Sequence, residues 1–255
     1  MKRNITLNPR YEQLRGYISD IIECFDREDY GETVQNGRNL IKKVKCPDGT
    51  SLNVKRYHRP SGINLFVYSF GIRLPKCQRA YKHASLLLAN GIESPEPVAC
   101  IEERMCGLIG YSYFVSIHSD YEHKMYEWGD AKEGCYEDFA QNFGRFTARL
   151  HEKGFLHKDY SPGNILWTKR QGEYHFSLVD TNQMYIGHVC QHRGCRNFAR
   201  LWGPKRFIVL MTRAYATYRG FDADECERIM LKARECFWRK YVKKKPEKVK
   251  FKLEL

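Results

Sequence analysis

The chain has 255 residues, 42% of them hydrophobic, enough for one large domain or two small lobes around a real core, which excludes a disordered chain. A net charge of +13 favours an anionic partner: nucleic acid, an anionic membrane or a phosphorylated substrate. The ten cysteines follow no regular framework, the opening "MKRNITLNPRYEQLRG" lacks a leader-like apolar run, and no stretch has bilayer-spanning length; free thiols in a reducing, cytoplasmic setting are expected.

The first third reads as strand-rich. "RNLIKKVKC", the turn "PDGT" and "SLNVKRY" form a predicted β-hairpin. "LPKCQRAYKHASLLLANGI" follows as a helix, with Ala80, Ala84, Leu87 and Leu88 at helical spacing and Gly91 as its stop. After the connector "ESPEP", "VACIEE" and "GLIGYSYFVSI" read as two more strands, giving a small sheet that carries one helix. Beyond "HSDYEHKMYEWGD", the segment "CYEDFAQNFGRFTARLHEKG" is a helix with Phe139, Phe143, Phe146 and Leu150 on one face. "NILWTK" and "YHFSLVD" are short strands joined by "RQGE", and the chain from about Asn197 is mainly helical. The expected boundary lies near residues 116–120, dividing the chain into 1–115 and 116–255.

Between the long helix and the first of those short strands lies "HEKGFLHKDYSPGNILW". It holds Asp159 and Asn164, five residues apart, and Asp180 ends the next strand. A hairpin would bring Asn164 and Asp180 close. Buried oxygens are costly unless paired or bound to a metal, and hard oxygen ligands suit Mg²⁺ beside substrate phosphates. His157-Lys158-Asp159 with Asn164 matches H-R-D-x-x-x-x-N, and Asp180-Thr181-Asn182 stands where D-F-G would be, the layout of phosphoryl transfer in the protein-kinase fold. Lys55, after Val54 on the second hairpin strand, supplies the phosphate-holding lysine of V-A-I-K.

With "VKRY", "LLLANGIESPEPVA", "LHKDYSPGNILW" and "VDTNQM", the chain resembles the lipopolysaccharide kinases, the Kdo and core-heptose kinases, over roughly residues 38–183 with a weaker helical tail. The resemblance implies an α+β, two-lobed protein-kinase-like fold with a small β-rich N-lobe and a larger helical C-lobe. It implies ATP and Mg²⁺ as cofactors and a lipid-linked lipopolysaccharide core sugar as acceptor, at the cytoplasmic face of the inner membrane. By the same resemblance Asp159 is the catalytic base, Asn164 and Asp180 hold the metal, and Lys55 holds the nucleotide phosphates.

Three departures stand beside it. The helix glutamate that ordinarily pairs with the strand lysine should fall near Lys82, leaving Glu93, Glu96 or Glu102 as substitutes. The glycine-rich loop reduces to Gly31 and Gly37 in "YGETVQNGRN". Two residues after the base, where Ser/Thr protein kinases carry a lysine, stands Ser161, then Pro162 and Gly163, a pattern closer to small-molecule and sugar kinases. The rival readings are a kinase of a soluble small molecule, of the aminoglycoside or choline type, and a nucleotide-binding pseudokinase. His188, Cys190, His192 and Cys195 offer zinc-type donors without a usual finger spacing. No motif for nucleic-acid recognition accompanies the charge. Two segments suit an anionic membrane surface: "SGINLFVYSFGIR" with its basic flanks, and the tail bearing Lys243, Lys244, Lys245, Lys248 and Lys250.

Overall fold

The computed structural model describes residues 2–254. The chain divides into two compact units: one takes the chain up to Asp120 with Asp180–Asn182, the other takes Tyr121–Val179 and the chain from Gln183 onward.

The first unit is built on strands β1 (Lys2–Leu7), β2 (Glu32–Asn36), β3 (Leu40–Lys45), β4 (Ser51–Tyr57), β5 (Pro97–Met105) and β6 (Leu108–Ile117), with helices α1 (Arg15–Cys24), α2 (Ile63–Ser69) and α3 (Lys76–Ala89). The strands form one antiparallel sheet in the order β1-β5-β6-β4-β3-β2. The expected hairpin is β3–β4, closed where Cys46 and Thr50 bond across the Pro-Asp-Gly turn. Period-two alternation puts Leu52 and Val54 on one face of β4, in a core with Ile18, Ile21, Ile22 and Phe25 of and just after α1. The other face carries Tyr57, packed with Cys77 of α3 and Cys100 of β5. β5 is therefore covered on both sides, which is why "VACI" is continuously apolar.

The expectation of a small sheet with one helix undercounts this unit. β1 pairs with β5, about a hundred positions away, so nothing local marks it. The N-cap of α1 is Leu14, which makes no side-chain cap, and no acid lies in the first turn, so the usual start signals are missing.

The second unit contains β7 (His123–Lys124), α4 (Glu137–Glu152), β8 (Phe155–His157), β9 (Ile165–Arg170), β10 (Glu173–Leu178), β11 (Met184–Ile186), α5 (Gln191–Arg196), α6 (Lys205–Arg219) and α7 (Ala223–Lys244). Phe139, Phe143, Phe146 and Leu150 line the buried face of α4 as their spacing requires. Phe139, Phe143 and Phe146 meet Phe176 of β10 in edge-to-face and tilted contacts 5.1–5.4 Å between ring centres. Gly144 lets α6 come close: a Cβ there would stand 2.5 Å from the Met211 carbonyl oxygen. Arg234 of α7 is wholly buried and donates to the carbonyls of Leu201 (2.6 Å) and Gly203 (2.9 Å), fixing the loop before α6. Among the described residues no helix is long and apolar enough to cross a membrane.

Candidate active site

In the first unit the alternation that buries Val54 turns Lys55 to the α3 side of the sheet. Its Nζ lies 2.7 Å from Oδ1 of Asp180, and 5.3 Å from the centre of the Tyr57 ring. Lys55 and Asp180 are 13% and 25% exposed, so the pair is shielded more than a surface salt bridge. Asp180 adopts φ +56°, a left-handed conformation uncommon for a side-chain-bearing residue, and Asn182 donates its side-chain amide to Asp180 Oδ1.

Helix α3 holds this bent segment. Thr181 Oγ1 donates to the carbonyl of Ala80 (3.1 Å), Arg79 Nη1 to the carbonyl of Asn182 (2.9 Å), and His83 Nδ1 to the carbonyl of Thr181 (2.7 Å). Thr181 and Asn182 are buried, so these bonds satisfy groups that water does not reach. The missing helix glutamate therefore has a different resolution from the one expected. Lys82 is exposed, Glu96 pairs with Arg10, and Glu102 is engaged by Gln78 and Arg104. The carboxylate beside Lys55 is Asp180 itself.

In the second unit β9 and β10 form the expected hairpin, with Ile165 opposite Leu178. One residue beyond that pair, Val179 N–H donates to the Asn164 carbonyl at 3.1 Å, so Asn164 stands against the residue that precedes Asp180 in sequence. Asn164 Nδ2 donates to the Asp159 carbonyl (2.8 Å), so the acceptor atom of its side-chain amide is Oδ1. His157 is fully buried: its Nε2 donates to the Val179 carbonyl and its Nδ1 accepts from Asp159 N–H. The loop is closed further by Lys158 N–H to the Gln183 carbonyl and by Tyr160, whose hydroxyl meets Thr147 Oγ1 at 2.9 Å. The carboxylate of Asp159 remains partly exposed and lies 2.7 Å from Arg200 Nη1.

Of the four residues singled out by sequence, the structure brings Lys55 to Asp180 and Asn164 to Asp159. It adds Arg200 on Asp159, His157 as the pin of the loop, and Arg79 and His83 as supports of residues 180–182. "RNFARLWG" carried no spacing signal for Arg200, since its partner Asp159 lies 41 residues upstream. The glycine loop corresponds to the β2–β3 hairpin. Gly31 (φ +72°) precedes it, where a Cβ would meet the Lys43 carbonyl oxygen at 2.7 Å. His188, Cys190, His192 and Cys195 do not form a ligand cluster among the described residues: Cys195 is buried against Cys226, while Cys190 is exposed.

A β-sheet unit with a strand lysine and a helical unit with an Asp/Asn loop define a kinase-like α+β protein. The chain belongs to the lipopolysaccharide kinase (Kdo/WaaP) family, which matches residues 30–201, more than half of its length. Similar solved structures include WaaP in complex with acyl carrier protein, with TM-score 0.60 and 14% identity, covering 97% of this chain and 99% of that one. An amicoumacin kinase in complex with AMP-PNP, Ca²⁺ and Ami is similar at TM-score 0.50 and 10% identity, covering 90% and 80%. The Rio2 kinase of Chaetomium thermophilum, solved with ADP/Mg²⁺ and phosphoaspartate, matches at TM-score 0.49 and 13% identity, covering 92% and 73%. Among curated proteins no sequence matches significantly.

Proposed function

We propose that the protein transfers a phosphoryl group from ATP to a sugar hydroxyl of the lipopolysaccharide inner core, on Kdo or heptose, as a peripheral protein at the cytoplasmic face of the inner membrane. The observation that carries the reading is the bonded register at the mouth of the β9–β10 hairpin, which seats Asn164 against Val179 and hands the chain directly to Asp180. Family membership supplies the substrate class.

The donor set fits Mg²⁺-ATP. Asp180 and Asn164 offer hard oxygens, and Lys55 offers a shielded ammonium. When bound, Mg²⁺-ATP would supply the transferable phosphoryl group and part of the charge neutralisation. Lys55 holds the phosphates. Asp159 orients the acceptor hydroxyl and takes its proton, with Arg200 fixing the carboxylate. The Lys55–Asp180 pair keeps both side chains beside one another, and a nucleotide phosphate and its Mg²⁺ would take over the bond that each now makes to the other.

The test is phosphate transfer from ATP to purified lipid-linked core acceptors, run beside soluble alcohols and aminoglycosides. Phosphorylation of the core sugar is expected. Turnover on soluble alcohols alone would assign a small-molecule kinase, and nucleotide binding without transfer would assign a pseudokinase.

A further inference from the structure

Helix α2 reverses the usual logic of a surface helix. Ile63, Phe66 and Phe70 recur at i, i+3 and i+7, the spacing that ordinarily faces a core, yet they are 77%, 54% and 72% exposed. The turn that follows adds Ile72 at 76% and Leu74 at 43%. The other face holds the helix in place: Tyr68 is buried, the Ser69 carbonyl accepts from Arg104 Nη1, and Ser69 Oγ accepts from Ile109 N–H. The apolar stripe is thus displayed by an anchored element.

Under α2 lies a cavity of about 160 Å³, lined by Arg38, Arg59 and Lys76 together with Tyr57, Asn64 and Tyr68. No acid lines it, and no Asp or Glu occurs between Asp48 and Glu93. Burial and the charges of Arg38 and Arg79 push the Lys76 ammonium below its ordinary value, against a smaller opposing pull from Asp180. An anion in the cavity would relieve that repulsion.

We infer that α2 and this cavity form a docking site for an anionic phospholipid bilayer: Phe66, Phe70 and Ile72 enter the acyl boundary, and a lipid phosphate sits against Arg38, Arg59 and Lys76. A bilayer is the occupant that asks for exposed apolar side chains together with a cationic seat that no acid lines. The surface is separate from the basic tail, and the inference rests on the peripheral-membrane part of the proposed function, not on the identity of the sugar acceptor.

Co-sedimentation with vesicles of phosphatidylcholine alone, or mixed with phosphatidylglycerol, tests it. The full chain should pellet with the mixed vesicles and hardly with phosphatidylcholine. The variant Phe66→Ser/Phe70→Ser/Ile72→Ser, whose changed side chains are exposed, should melt like the parent but partition at least about tenfold less. Arg38→Gln/Arg59→Gln should lose the preference for phosphatidylglycerol. Glutamine at the five tail lysines should leave most of the binding. Equal pelleting of the parent and the serine variant would overturn the proposal. So would a parent that ignores vesicles but binds a soluble acidic acyl carrier protein. Transfer to a soluble acceptor fragment by the serine variant reports on the proposed kinase reaction separately.

Discussion

Lys55 Nζ and Asp180 Oδ1 stand 2.7 Å apart, so the proposed phosphate lysine and the proposed metal carboxylate are each other's partners. In this arrangement Asp180 neutralises Lys55, and α3 contributes hydrogen bonds to the chain around Asp180 instead of a charge to Lys55.

Removing either member should therefore disturb both. Lys55→Met is expected to lower turnover by roughly a hundredfold or more. Asp180→Asn should abolish the Mg²⁺ dependence of nucleotide binding while keeping the fold. Calorimetric titration of ATP with and without Mg²⁺ checks this, and an unchanged Mg²⁺ effect in the Asp180 variant would remove it from the proposed metal site.

Asp159→Asn should leave folding and nucleotide affinity near those of the parent and lower transfer by about 10²–10⁴-fold. Arg200→Gln should give a smaller fall, expressed in kcat, because the proposed base Asp159 keeps its carboxylate but loses its ion-pair partner. Steady-state kinetics with a thermal melt decides; near-normal turnover by the Asp159 variant would exclude it as the base.

Acid sensitivity should arise in part at His151. The ring is 1% exposed; Nε2 donates to Asn197 Oδ1 and Nδ1 accepts from the Tyr215 hydroxyl, which fixes it neutral. Burial lowers its pKa from 6.5 to about 3. The unfolded chain takes up the proton below about pH 6.5, whereas the folded one refuses it until about pH 3. Stability is thus lost as pH falls through that window and is unaffected above it, by on the order of 5 kcal/mol over the whole range. Denaturant midpoints between neutral pH and pH 5 should fall less steeply for His151→Gln; equal slopes would place the acid sensitivity elsewhere.

Thiol reactivity should follow burial. Cys106, Cys135, Cys190 and Cys236 are exposed, whereas Cys77 and Cys100 lie buried with their sulfurs 2.9 Å apart. Contact with Cys77 and burial push the Cys100 thiol well up, so it is a poor nucleophile. Brief iodoacetamide treatment followed by peptide mass mapping should mark the four exposed cysteines first. Early modification of Cys77 or Cys100 would contradict the packing around Tyr57.

Elements with a local signature were legible in the sequence. The β3–β4 hairpin declares itself through Pro-Asp-Gly, α4 through its phenylalanine spacing, and the Asp159 loop through residues within a short span. What stayed hidden was set by distant partners. β1 is a strand because β5 is there to pair with it, and Arg200 matters because β8 and its following loop bring Asp159 to it. Lys55 found a carboxylate far along the chain, whereas residue-by-residue comparison sought one on the next helix. α2 was visible only as an aromatic run with basic flanks; its helical form and outward stripe required the anchors at Tyr68 and Ser69.

Residues 180–182 pack with the first unit although both their neighbours in sequence pack with the second. During synthesis, a nascent chain ending before Asp180 lacks the acceptor for Lys55 and the three hydrogen-bonding partners of α3. The first unit is therefore a discontinuous folding body, and its last three residues reach it only after the β9–β10 hairpin has left the ribosome. A fragment cut at residue 120 would carry Arg79, His83 and Lys55 without these partners, so dissecting the protein at that boundary separates the sheet from part of its own structure.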